Sequence, residues 1–158
     1  MPLILSGDTG PSIVSASAMP TGSVIQTVNA TYNVQTGSSS STYSDTGLTA
    51  SITPTSSSSR ILVLANQAGM YKTSGVNRIA GVQLVRGSST ALALMEAEYG
   101  NSISDGIGGS LSICFLDSPA TTSTVTYKTQ FRSTQNNGTV YVQITNAVST
   151  ITLLEIKV

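Results

Sequence analysis

Two carboxylates two residues apart, Glu96 and Glu98 in "LMEAEYG", come nearest of any side chains to the spacing that chemistry needs. On a strand they share one face with Cα atoms roughly 6.5–7 Å apart, inside the window of roughly 5–9.5 Å that glycosidases use across a scissile bond. Residues of one strand stand in line, not opposite each other across a cleft, so the pair reads first as solvated charge. Histidine is absent. That removes Ser-His-Asp and Cys-His nucleophiles and most zinc sites together. A Ser-Lys arrangement would have to use Lys72, Lys128 or Lys157, and none lies in a matching local motif. "DGIGGS", Asp105 to Ser110, lacks the Gly-Lys-Ser ending of a phosphate loop, and "NSISDG" offers too few oxygens for calcium. Asp105 and Asp117 precede turn residues (Gly106; Ser118-Pro119) and read as turn formers. The expectation is a protein that is not an enzyme and uses no metal or cofactor.

If the chain binds a ligand, side chains at strand ends and in loops are the means: Tyr71, Lys72, Tyr99, Asn101 and Asp105. Tyrosine rings stack on sugar faces and amides bond hydroxyls; the same tyrosines can equally cover the edge of a core. The single cysteine, Cys114 in "LSICFL", excludes an intrachain disulfide and reads as a small buried hydrophobe. No His, Lys or Arg stands near it in sequence to activate the thiol.

The elements that must position these residues are set by composition and periodicity. The 158 residues suit one domain with a real core. Charged residues are only 9% of the chain, and seven basic residues cancel seven acidic ones. No basic stripe is available to displace counterions, which argues against nucleic acid, and none to hold an anionic membrane surface. No apolar run approaches the ~18 residues that span a bilayer, so no membrane insertion is expected. The start, "MPLILSGDTG", has no basic region and too short an apolar piece for a signal peptide. Serine and threonine make up roughly 30% of the chain, where ordinary proteins place charges. A neutral surface repels copies of itself weakly, so much of it is expected to be covered by other chains.

Residues 1–22, punctuated by Gly7, Gly10, Pro11, Pro20 and Gly22, read as an extended arm or linker leading into a domain at 23–158. After them strand signals dominate. Leu48, Ala50 and Ile52 alternate with Thr49, Ser51 and Thr53 until Pro54. "RILVLANQAGMYK" is nearly continuous at first, as in a strand covered on both faces. "AGVQLVRG" sets Val82 and Leu84 on one face and Gln83 and Val85 on the other. "TALALMEAEYG" has helix-favouring residues but strand neighbours, and is read as strand. Leu111, Ile113 and Phe115 oppose Ser110, Ser112 and Cys114; Val125, Tyr127 and Phe131 oppose Thr126, Lys128, Gln130 and Arg132. "NNG" at 136–138 predicts a hairpin turn. Val140, Val142 and Ile144 then oppose Tyr141 and Gln143. The apolar phase shifts at Leu153-Leu154, which predicts a β-bulge or burial on both faces at a subunit contact. The serine run at 56–59 reads as a surface loop of which only solubility and flexibility are asked. Two Asn-x-Thr sequons, at Asn29 and Asn137, carry no weight outside a secretory route. Eight or nine short strands predict an all-β fold, an antiparallel two-sheet sandwich of jelly-roll type.

"GSVIQTV", "DTGLTASITPTSSSSRILVL", "LVRGSS" and "ITLLEI" resemble the virion-surface β modules of marine and freshwater bacteriophages, found at the ends of tail fibres. The opening "LILSGDTGPS" is similar to their leader segments. The resemblance covers about 22–158 and lies in pattern and phrase, not in a catalytic signature. It implies a homotrimeric module on the virion surface that binds host surface glycan, with the arm joined to other virion proteins. No long shaft and no recognisable attachment domain accompany it, which raises a second role: a capsid decoration (cement) protein whose arm anchors it to the shell.

Overall fold

A computed structural model of the chain describes residues 18–73, 79–98, 107–134 and 138–158; of 79, 96–98 and 107 it describes the backbone alone. Among the described residues there are ten strands and one short 3-10 turn. The strands are β1 (Val24–Tyr32), β2 (Thr36–Ser38), β3 (Ser44–Ile52), β4 (Arg60–Lys72), β5 (Ile79–Arg86), β6 (Thr90–Glu98), β7 (Ile107–Asp117), β8 (Val125–Ser133), β9 (Val140–Val142) and β10 (Ser149–Ile156). The tenth, unexpected from sequence, is the short β2.

All pairings are antiparallel. The first sheet runs β1-β10-β4, with β7 along the other side of β4 and the short β9 and β2 continuing from the far end of β4. The second runs β3-β8-β5-β6. Of the eight long strands, only β5 and β6 are sequence neighbours that pair; the other links cross between sheets or pass through a short strand. The orders β1-β10-β4-β7 and β3-β8-β5-β6 are those of a jelly-roll sandwich. The chain is therefore all-β, with two antiparallel sheets face to face, as its periodicity predicts.

Alternation decides which side chains fill the space between them. Leu48, Ala50 and Ile52 of β3, Ile61, Val63 and Ala65 of β4, Val82 and Leu84 of β5, Tyr127 and Phe131 of β8, and Ile151 and Leu153 of β10 are buried in one cluster. Each large side chain removed from water contributes about 1.5–3 kcal/mol. Aliphatic residues with a few aromatics thus build the core without tryptophan.

Several local expectations are corrected. β4 is not covered on both faces within one chain: Ile61 and Val63 are buried, but Leu64 is 40% exposed. "NNG" does not close a hairpin between β8 and β9, since those strands lie in different sheets; Asn136 and Asn137 themselves fall outside the described residues. Ile144 does not continue β9. The strand stops at Val142 because Gln143 takes a left-handed conformation (φ 54°), and a 3-10 turn follows at Ile144–Asn146. Val85, assigned to the opposite face from Leu84, is also fully buried, where pairing with β6 slips between Leu84 and Val85. β10 does not bulge at Leu153-Leu154. Its burial alternates through to Ile156, because Glu155 takes the next inward position; the irregularity lies opposite, on β1 between Val24 and Gln26.

Candidate functional site

Three ties of polar side chains cross the sandwich. At one end Asp117 of β7 accepts from Arg86 of β5, whose Nη1 lies 2.8 Å from both carboxylate oxygens, and from the Tyr127 hydroxyl of β8 at 2.7 Å. Asp117 is thus a buried inter-sheet clasp and not the turn former its neighbours suggested. Burial, and then the bonded carboxylate, push the Tyr127 hydroxyl far above the ordinary tyrosine range. In the middle, the Thr129 hydroxyl donates to Gln67 Oε1 at 3.0 Å and lies 2.6 Å from the Thr46 hydroxyl. Gln67 Nε2 continues the chain to Ser149 Oγ at 2.9 Å. At the far end Lys72 Nζ donates to Ser133 Oγ at 3.0 Å.

This Lys-Ser contact lies wholly within the core: both residues are 0% exposed. Lys72 therefore does not stand in a surface loop. Tyr71 beside it is half-buried and faces outward, its ring tilted against Tyr141 with centroids 6.4 Å apart. Gly37 across the ladder leaves room for the Tyr141 ring; a Cβ there would come within 2.7 Å of it. Sequence reasoning missed Tyr141, although its parity opposite Val140 and Val142 marks it as outward. Tyr99, Asn101 and Asp105 lie outside the described residues, as do the side chains of Glu96 and Glu98. β6 ends at Glu98, and β7 begins at Ile107 opposite Lys72.

Residues 19–23 meet Lys157 at the opposite end. Gly22 N donates to the Lys157 carbonyl at 2.8 Å, Lys157 N to the Ser23 carbonyl at 2.9 Å, and the Lys157 side chain to the Met19 carbonyl. Glu155, fully buried there, accepts from the Thr55 amide at 2.7 Å and the Thr55 hydroxyl at 2.8 Å. The Gln26 amide, with its nitrogen turned inward, reaches the other oxygen at 3.1 Å. The loop that holds the serine run is therefore anchored at its start by a carboxylate. At this end a bay of about 410 Å³ opens beside the β5–β6 turn, lined by Arg86, Ser88, Thr90, Pro119, Thr121 and Thr124 among others.

The outer face of the first sheet has a different character. Register sets three cross-strand rows on it: Thr27-Leu154-Leu62-Leu116, Asn29-Thr152-Leu64-Cys114 and Thr31-Thr150-Asn66-Ser112. None carries a charge; the adjoining row, Val24-Ile156-Arg60, carries one on the exposed Arg60. Leu64 and Leu116 are 40% and 48% exposed. Cys114 is exposed on this face, and the expectation of a buried cysteine is corrected: it alternates with Ile113 and points outward. A shallow groove of about 280 Å³ runs past Leu64, Asn66, Cys114 and Thr152. Charge gathers instead on the outer face of the second sheet. There Lys128 pairs with Asp45 at 2.9 Å, Gln130 donates to Asp45 at 2.7 Å, and the Arg132 guanidinium lies 4.6 Å from the Tyr43 ring centre. Partial burial would raise the Asp45 pKa, but the bonds from Lys128 and Gln130 outweigh it and hold the carboxyl below its ordinary value.

The class defined by this architecture is the antiparallel jelly-roll sandwich, with one outer face uncharged over three adjacent rows and bordered by Arg60, and the other charged. No protein-family model and no curated protein matches the chain. Among solved structures it is similar to chains of infectious bursal disease virus. Against the Gx strain, identity is 13% and the TM-score 0.39, over 85% of this chain and 33% of that one. Against the VP2 subviral particle the figures are 11% and 0.32, over 85% and 38%. Against the Gt strain they are 13% and 0.33, over 97% and 47%. The chain thus spans between a third and a half of the length of the viral chains it matches. Among the described residues no group of His, Cys, Asp or Glu is placed to hold a metal ion.

Proposed function

We propose that the chain is a virion surface module that assembles as a homotrimer and acts as a tail-fibre or adhesin tip binding host surface glycan. The observation that carries it is the three adjacent uncharged rows on the outer face of the first sheet, which Arg60 borders at one end. Contiguous exposed leucines flanked by neutral hydroxyls and amides are the composition of a surface meant to be covered, and identical copies meet there without like-charge repulsion. The resemblance of "DTGLTASITPTSSSSRILVL" and "ITLLEI" to phage virion-surface modules supports the virion setting. The ends of the sandwich support the tip. Met19, Gly22 and Ser23 meet Lys157 at one end, and the Tyr71–Tyr141 pair lies at the opposite end, where tyrosine faces suit sugar rings. Tyr99, Asn101 and Asp105 belong to this reading as loop contacts.

The same neutral face suits a second reading, a capsid decoration protein clamping neighbouring shell subunits with its arm laid along the shell. Copy number per particle separates the two. A few trimers per virion, with purified protein binding host cells saturably in competition with their polysaccharide, is the expected result. Hundreds of copies per virion and heat-labile heads on deletion would instead establish the decoration role and overturn the tip.

A further inference from the structure

We propose that the bay at the β5–β6 turn binds an uncharged saccharide. This site is separate from the Tyr71 end and does not rest on the tip reading. Its centre is Arg86. A guanidinium carries five N–H donors in a fixed plane, and Asp117 engages it through Nη1 alone, at 2.8 Å to each oxygen. Asp117 is buried and held in turn by the Tyr127 hydroxyl at 2.7 Å. The arginine is therefore positioned before any ligand arrives, with 28% of its side chain still open. Donors fixed in advance cost little ordering on binding.

The lining fits a polyol. Ser88 and Thr90 bring hydroxyls that both donate and accept, Thr121 accepts from the Ser123 amide and keeps its O–H to donate, Thr124 shares its hydroxyl with Thr53 at 2.8 Å, and Pro119 gives an apolar patch for the C–H face of a sugar. At about 410 Å³ the bay falls within the size range of small-molecule sites. Charge selects among ligands. The guanidinium charge is already matched by Asp117, so the bay offers donors without a net field to favour phosphate, sulfate or a uronic acid. Neutral sugar hydroxyls match it best.

The test uses the full chain labelled with nitrogen-15 and titrated with neutral hexoses and their oligomers. Shifts are expected at Ser88, Thr90, Thr121 and Thr124 and at the Arg86 side-chain N–H. Thr90→Val and Ser88→Ala, which leave the Arg86–Asp117–Tyr127 set intact, should each weaken binding about fivefold, the value of one net hydrogen bond. Arg86→Lys should abolish the shifts; the Thr90 and Ser88 variants keep the test sharp if that variant folds poorly. No shift with any neutral sugar, shifts confined to the Tyr71 end, or tighter binding of sulfate or uronic acid than of hexose would overturn the proposal. The second outcome would leave the tip reading standing.

Discussion

Gln67 and Thr129, 62 residues apart in sequence, are joined at 3.0 Å in the middle of the sandwich, one from each sheet. Both are buried, and both are polar at positions that alternation aims inward. With Asp117–Tyr127 at one end and Lys72–Ser133 at the other, they make polar ties that run along the length of the core. Such bonds add little net energy when made but cost the full desolvation of each partner when broken. Their effect is to fix how the sheets stack.

Thr129→Val tests the central tie. The near-isosteric change leaves Gln67 Oε1 and the Thr46 hydroxyl without this partner inside the core. A loss of about 1–3 kcal/mol is expected in denaturant unfolding. Adding Gln67→Met should recover part of it, and strict additivity of the two losses would contradict the tie.

Tyr127 sets the alkaline limit of stability. Its folded pKa is raised above the ordinary tyrosine value of 10.0, so the folded state holds the proton more tightly than the unfolded one. That contribution is complete below the unfolded pKa and is lost as pH climbs above it. Unfolding midpoints should fall with pH above about 10. Tyr127→Phe should start lower at neutral pH yet show a flatter alkaline limb; an unchanged slope would contradict the assignment.

Gly47 is a position where only glycine fits. It sits at φ +89°, and a Cβ would lie 2.2 Å from the Tyr32 ring. Gly47→Ala combines left-handed strain with overpacking, and a loss of roughly 1–3 kcal/mol is expected. Tyr32→Leu in the same chain should relieve the steric part, which thermal melts of the single and double variants would reveal.

Cys114 reports on whether the neutral face is covered. It is exposed in one chain and sits beside Leu64 in the middle cross-strand row. In the assembled protein, maleimide labelling should be slow, and mild oxidation should cross-link copies wherever the thiols come within disulfide reach. Fast labelling at high protein concentration would place the face in solvent.

Most of the architecture was legible in strand alternation, and the exceptions share a cause. Polar residues were read by type and not by parity. Asp117 follows Ile113 and Phe115 at the inward step, Glu155 follows Ile151 and Leu153, and Gln67 follows Ile61, Val63 and Ala65. In each case the period put a polar group into the core, where it finds partners on strands distant in sequence. Cys114 failed the opposite way: an apolar type at an outward step. The hairpin at "NNG" was misplaced because turn chemistry reports a local reversal but not which sheet the next strand joins. The bay around Arg86 was invisible for the same reason, since its walls come from β5–β6 and β7–β8 loops that only the jelly-roll winding brings together.

The central claim is that the three uncharged rows on the outer face of the first sheet are covered by other copies of this chain. Sedimentation equilibrium across micromolar concentrations, on the wild type and on Leu64→Glu, tests it most directly. The expected result is a wild-type mass three times the 16.2 kDa chain and a folded monomer for the variant, because Leu64 is already exposed within one chain. A wild-type protein that sediments as a single chain, or a variant that assembles as well as the wild type, would contradict it.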